Sequence, residues 1–198
     1  MTHDSDSTDR ARDVTLDASN LKGLAHPLRV RLLGALREAG PATASQLADR
    51  LGESSGATSY HLRQLQRFGF VTEEAERGSG RERWWRAAHE STYIDEGELL
   101  RNPRTAALGS EFFRSVVDAY AARMFNWIEK LPSFTGEWLH AGTMSDWALR
   151  LTPAQLGELE AELEAVIRRY PRFDPEEPQT EGAAYVAVQL QLLPRVEA

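Results

Sequence analysis

Between Ser55 and Arg67 the chain reads SGATSYHLRQLQR, and its residue types are unevenly distributed. Small residues come first, at Ser55, Gly56 and Ala57. Hydroxyls follow at Thr58, Ser59 and Tyr60, then two cations one helical turn apart at Arg63 and Arg67. Ser, Thr and Tyr are poorer helix formers than Leu or Glu, so helix stability did not select them. A second set of cations, Arg77, Arg81 and Arg83, surrounds Gly78-Ser79-Gly80. Small residues permit close approach, hydroxyls donate and accept hydrogen bonds, and guanidinium groups pair with phosphate oxygens or guanine edges. These positions, with Thr43 ahead of the preceding helix, are the candidate contacts to duplex nucleic acid. The B-form major groove is about 12 Å wide and admits one α-helix.

Charge placement agrees with that chemistry locally and opposes it globally. The 198 residues carry a net charge of −7, yet Leu21–Ala88 holds 11 Lys+Arg against 7 Asp+Glu, a net of +4. Residues 89–198 hold 10 against 18. Screening limits a phosphate's reach to about 10 Å, so it feels the basic segment rather than the sum.

Periodicity predicts the elements that must hold these residues. Leu28, Leu32, Leu33 and Leu36 recur at helical spacing behind Pro27, and Gly40-Pro41 stops that helix. Thr43 with Gln46 forms a capping box for a second helix whose inner side is Leu47, Ala48 and Leu51. Gly52 ends it, and either Ser54 or Ser55 caps the third, over about 55–68, with Thr58, Leu62, Leu65 and the Phe68–Phe70 corner buried. Gly69 breaks that helix, and two short strands about Gly78-Ser79-Gly80 follow as a hairpin. Of Trp84 and Trp85, one is expected in the core. His61 is expected to pack partly against the preceding helix rather than to contact a base or a metal. The order is that of a winged helix-turn-helix.

The run from Leu24 to Val71, followed by RGSGRERWWRA, closely resembles the ArsR-like winged helix-turn-helix transcriptional regulators. The HPLR start, the S-x-H-L-x-x-L segment of Ser59, His61, Leu62 and Leu65, and the G-F-V exit carry the resemblance. It covers about 70 residues and implies a bacterial sequence-specific regulator. It also implies a homodimer, with Ser55 to Arg67 as recognition helix. The chain departs from that family's metal sensors. It has no Cys, and His3, His26, His61, His89 and His140 form no paired spacing, so no metal is expected.

Residues 1–15 read as a disordered acidic tail, 16–90 as the winged helix-turn-helix domain, and 91–198 as a C-terminal domain for dimerisation or an effector. In the last, Phe113, Val116, Val117, Tyr120, Met124, Trp127, Ile128 and Leu131 form a long apolar stripe, either a dimer seam or internal packing. Thr152, Pro153 and Gln155 open another helix, and alternation over 145–151 and 184–193 predicts two strands of a sheet. The expected fold class is α+β: a winged helix-turn-helix followed by a small α+β domain with one long amphipathic helix. Tyr120, Trp127, Phe134, Trp138 and Trp147 are candidates for a pocket taking a small apolar effector, with core packing as the alternative.

Nothing points to an enzyme or a cofactor. There is no phosphate-binding G-x-x-x-x-G-K-[ST], no G-x-S-x-G and no H-E-x-x-H, and neither lysine, Lys22 nor Lys130, follows Gly. A polar N-terminus and the lack of an 18-residue apolar run lead to the expectation of a cytoplasmic protein without a membrane span. The alternative function is a winged-helix module that contacts protein rather than DNA.

Overall fold

The computed structural model describes residues 13–77, 82–94, 96–178 and 180–195. Helix α1 (Pro27–Ala39) begins where the backbone N–H of Leu28 donates to Nδ1 of His26 at 3.2 Å, with Pro27 in the first turn. It buries Leu28, Leu32, Leu33 and Leu36, the four leucines its periodicity marks. Helix α2 (Ala44–Leu51) carries the reciprocal capping box: the Thr43 N–H donates to Oε1 of Gln46, and the Gln46 N–H to Oγ1 of Thr43. Helix α3 (Ser55–Arg67) is capped by Ser54, whose Oγ accepts from the Ala57 N–H at 3.2 Å. Gly40, Gly52 and Gly69 follow the three helices with φ of 76°, 67° and 80°, a region where a Cβ is strained.

Three antiparallel strands complete the motif in the order β2–β4–β3: β2 (Ala42–Thr43), β3 (Val71–Glu73) and β4 (Trp84–Ala87). Val71 faces Ala87 and Glu73 faces Trp85 across the hairpin, while Ala42 also pairs with Trp85. Trp85 is buried, whereas Trp84 is only half-buried. The expected hairpin tip, Gly78 to Arg81, lies outside the described residues.

The first unit reaches further in both directions than hydrophobic patterning indicates. Asp13–Thr15, polar enough to read as tail, forms β1, in parallel pairing with β5 (Ser91–Tyr93). Arg37 anchors that pair to α1, donating from Nε to the His89 carbonyl at 2.9 Å and from Nη2 to Oγ1 of Thr92 at 3.0 Å. Its burial lowers the guanidinium pKa to about 10, so it remains a cation near neutrality. After α4 (Glu96–Arg101), α5 (Ala106–Lys130) adds Phe112 to the core and half-buries Phe113 and Val116. Arg123 on α5 pairs with Glu38 on α1.

The chain divides into two units, 1–124 and 125–198. The second contains α6 (Trp138–Ala141) and α7 (Pro153–Ile167), the latter opened by the expected Thr152–Gln155 capping box. The sheet expected from 145–151 and 184–193 is not formed: among the described residues neither segment pairs as a strand. Alternation fixes which side chains share a face, but a strand exists only when its N–H and C=O groups find a partner strand.

Gly23 is closely packed against the exit of α3. A Cβ there would lie 2.5 Å from Cε2 of Phe70 and 2.6 Å from Cβ of Phe68, at the exit of α3. Gly23→Ala is therefore expected to cost about 1–3 kcal/mol by overpacking. Urea unfolding should show a lower midpoint with an unchanged slope. An unshifted midpoint would mean that the Phe68–Phe70 corner yields freely.

Candidate nucleic-acid interface

One side of α3 is fully committed to packing. Thr58, Leu62 and Leu65 are each 0% exposed, and they sit against α1 and α2. That spacing fixes the helix by a single stripe and turns the remaining positions outward. Ser55, Gly56, Tyr60, Arg63 and Arg67 are exposed, Tyr60 to 55%, while Ala57 and Ser59 are half-buried. A side chain at Gly56 would meet nothing within 4 Å. Among the described residues Arg63 makes no ion pair or hydrogen bond, and Arg67 only lies 6.0 Å over the ring of Phe68. Two cations one turn apart thus stand beside a small-residue helix start.

The turn ahead of α3 is held from α1. Arg31 donates from Nη1 to Oε1 of Glu53 at 2.9 Å and from Nη2 to the Leu51 carbonyl at 2.6 Å. The same arginine thereby orders the last turn of α2 and the approach to the Ser54 cap. Thr43 is 3% exposed, with its hydroxyl in the capping box; its geometry serves α2.

The hairpin arginines lie among carboxylates. Arg77 Nε is 3.5 Å from Glu74 and its guanidinium lies over the Trp84 ring at 5.7 Å. Arg83 stands 3.6 Å from Glu73, and Arg86 stands 3.4 Å from Glu74. Arg81 lies outside the described residues. Exposed pairs of this kind contribute about 0–1 kcal/mol, so they are exchangeable for a phosphate. Of the aromatic set in the other half, Trp127 packs beside Gly142, Phe134 is half-buried, and Trp138 and Trp147 are exposed. Tyr120, on the first unit, has the Arg123 guanidinium 5.8 Å over its ring.

A pair of histidines at the base of α3 escapes sequence reasoning. The rings of His26 and His61 lie 4.2 Å apart between centroids, tilted by 36°, and Tyr60 meets His61 edge-on at 5.1 Å. Nδ1 of His61 and Nε of Arg29 are buried without a hydrogen-bond partner. Burial lowers both histidine pKa values, Arg29 lowers them further, and His26 adds to the effect on His61; Glu53 opposes it weakly. Only the HP dipeptide of His26-Pro27 hinted at this, as a helix start; a contact across 35 positions leaves no local signal.

Residues 24–74 match the family model of a helix-turn-helix domain. The matched segment spans α1, α2, α3 and β3. In this domain α2 is the supporting helix and α3 the second, outward-facing one. Among solved structures the chain is similar to a possible transcriptional regulator for arsenical resistance, at 29% identity over 53% of this chain and 95% of that one, with a TM-score of 0.31. It is also similar to RV1404 from Mycobacterium tuberculosis, at 18% identity over 76% and 82% of the two chains, TM-score 0.30. A third is the disulfide-formed AbfR, at 16% identity over 70% of each chain, TM-score 0.27. No curated protein matches the chain. Among the described residues no group of three or more His, Cys, Asp or Glu is placed to hold a metal, and no helix is long and apolar enough to cross a membrane.

The histidine pair makes the helix-turn-helix domain acid-sensitive. Both folded-state values lie below the ordinary 6.5, so the unfolded chain binds protons first as the pH falls. Stability is complete above about pH 6.5 and declines as the pH drops through the lowered values. Protonation at Nδ1 would also remove the acceptor that caps α1. Thermal unfolding followed between pH 7.5 and 5 should show this decline. His26→Asn, which keeps a capping side chain, combined with His61→Gln should flatten it. An equally steep decline in the double variant would assign the effect to other groups.

Proposed function

We propose that the protein is a sequence-specific DNA-binding transcriptional regulator that acts as a homodimer. Helix α3 enters the major groove, and the β3–β4 hairpin lies along the backbone or the minor groove. The observation that carries this reading is the outward side of α3: Gly56 open to solvent, Tyr60 exposed, and Arg63 and Arg67 without carboxylate partners among the described residues. Ser55, Gly56 and Ala57 let the helix start approach base edges. Ser59 and Tyr60 offer hydroxyls, and Arg63 and Arg67 reach phosphate or guanine. Arg77 and Arg83 exchange Glu74 and Glu73 for phosphates. Two copies on a two-fold axis would read half-sites about 34 Å apart. Within the second unit, Trp127, Phe134, Trp138 and Trp147 are the aromatic side chains proposed for a small apolar effector.

The experiment is titration of the chain's own upstream DNA against a random duplex of equal length, at two salt concentrations. Operator binding is expected at roughly 10⁻⁸ to 10⁻¹¹ M and should weaken steeply with salt. Arg63→Ala should lose about 1–3 kcal/mol on the operator if it reads a guanine, and a similar loss on both duplexes would make it a phosphate contact. No loss on either removes Arg63 from the interface. Gly56→Glu offers a separate check. Its side chain enters open space, so the melting temperature should hold while DNA affinity falls by tenfold or more, about 1.4 kcal/mol or above. The pairing of hairpin arginines with Glu73 and Glu74 favours a second reading, a module that contacts protein. Indifference to DNA at low salt would select it.

A further inference from the structure

The corner that leads into α1 packs along one flank of α3 and carries a cation outside the set on α3 and the hairpin. Leu21–Gly23 forms a single 3-10 turn, in which the Gly23 N–H donates to the Asn20 carbonyl at 2.7 Å and the Leu24 N–H to the Leu21 carbonyl at 3.0 Å. Leu21, Gly23 and Leu24 are buried, and Lys22 among them is exposed. Arg29 on α1 donates from Nη2 to the Lys22 carbonyl at 2.8 Å, which ties the turn to that helix. Asp17, the acid ahead of the turn, accepts at Oδ1 from the N–H groups of Ser19 at 2.7 Å and Asn20 at 3.0 Å. Among the described residues the Lys22 ammonium makes no ion pair or hydrogen bond.

Two sets of contacts fix which flank of α3 this corner occupies. At one end Gly23 meets Phe68 and Phe70, and the Arg67 guanidinium lies 6.0 Å over the Phe68 ring. At the other end His26 meets His61 at 4.2 Å between ring centroids, and Tyr60 meets His61 at 5.1 Å. At about 100° per residue, His61 and Phe68 share one flank of the helix, roughly a quarter turn from the exposed Tyr60 and Arg67. Ser59 and Gln66 lie on the opposite flank. A helix seated in the major groove has a phosphate strand along each flank, because those strands are the walls of the groove.

We propose that Lys22 is a phosphate contact on the DNA strand that runs along the His61–Phe68 flank of α3. The inference rests on the DNA-binding reading above and adds to it a residue ahead of 24–74, the span of the helix-turn-helix match. An ammonium on a flexible four-carbon stem meets a phosphate as a point charge and carries no base preference. The buried residues on either side hold the Lys22 backbone, so only the side chain is ordered on contact. No carboxylate has to be displaced from it, unlike the hairpin arginines beside Glu73 and Glu74. A phosphate strand is also the anion that Tyr60, Arg63 and Arg67 face in that reading, which selects DNA over an isolated acidic ligand. Phosphate contacts set the register and orientation of a protein on the duplex. Lys22 would fix the side of α3 that its own hydroxyls and arginines leave open.

The test titrates operator and random duplexes with the full chain over a series of salt concentrations. Lys22→Ala should weaken binding to both duplexes alike, by about fivefold or more near 0.1 M salt, and lower the salt slope by about one per bound protomer. Lys22→Arg keeps the charge and should bind as the wild type does. Lys130→Ala removes the other lysine of the chain and should leave affinity and slope unchanged. Both lysines are exposed, so the melting temperature should hold in all three variants. Single methylphosphonates scanned along each strand should reveal one phosphate whose neutralisation weakens the wild type but not Lys22→Ala. Wild-type binding with an unaltered Lys22→Ala affinity and slope overturns this contact and leaves the DNA-binding reading standing. An equal loss in Lys130→Ala shows an effect of total charge and overturns it as well. A loss confined to the operator makes Lys22 a reader of sequence and overturns the phosphate assignment. Failure of the wild type to bind either duplex overturns both readings.

Discussion

The structure depends on one stripe of one helix. Thr58, Leu62 and Leu65 seal α3 against α1 and α2, and the chain leaving α3 is pinned where Phe68 and Phe70 close on Gly23. A helix held by one stripe and one end has no freedom to rotate, so the identity of its outward residues is fixed by the register of its inward ones. Shifting the buried set by one position would turn Arg63 and Arg67 by about 100°. The supports on either side serve that register: the Ser54 cap sets where α3 starts, and Arg31 holds the turn before it through Glu53 and the Leu51 carbonyl.

Electrostatics divides the outward surface in two. The arginines of α3 have no carboxylate partners among the described residues, while those of the hairpin sit at 3.4–3.6 Å from Glu73 and Glu74. A polyanion meeting α3 gains an interaction against water alone. Meeting the hairpin, it must displace a carboxylate from each arginine, and the net gain there is smaller. Under the proposed DNA-binding reading, such an arrangement would put discrimination on the helix and leave the hairpin as an adjustable, salt-sensitive contact. Net charge is a poor guide here, because most of the acidic excess lies outside residues 21–88.

Much of the first unit was legible in local pattern. The leucines of α1, the Thr43 box, the inward residues of α3 and the burial of one of the two adjacent tryptophans all follow from spacing and capping chemistry within a few residues. What escaped depends on contacts across long separations. Asp13–Thr15 is polar, and only its parallel pairing with Ser91–Tyr93 makes it a strand. Ala42–Thr43 is too short to signal a strand, and joins the sheet because β4 lies beside it. The apolar stripe of α5 was placed one residue off: Phe112, not Phe113, is the buried ring, since a stripe this broad does not say which row meets the core. The His26–His61 contact belongs to the same class. For the candidate interface, the residues marked by type lie on the outward side of α3, whereas Thr43 shows how a hydroxyl that reads as a contact can be consumed by a cap.

The two expected strands of the second unit are the instructive failure. Their alternation is as clean as that of any strand in the chain, and α7 between them is capped as the sequence requires. Periodicity reports the faces a segment would present if paired; it carries no information on whether the partner lies in the same chain. In the first unit, every strand finds an edge nearby, and the apolar residues close into one core. In the second, a neutral segment of twelve residues and a well-formed helix remain with their apolar sides open. Burial is what offsets the conformational entropy of ordering a chain, and the second unit buries little of its own surface.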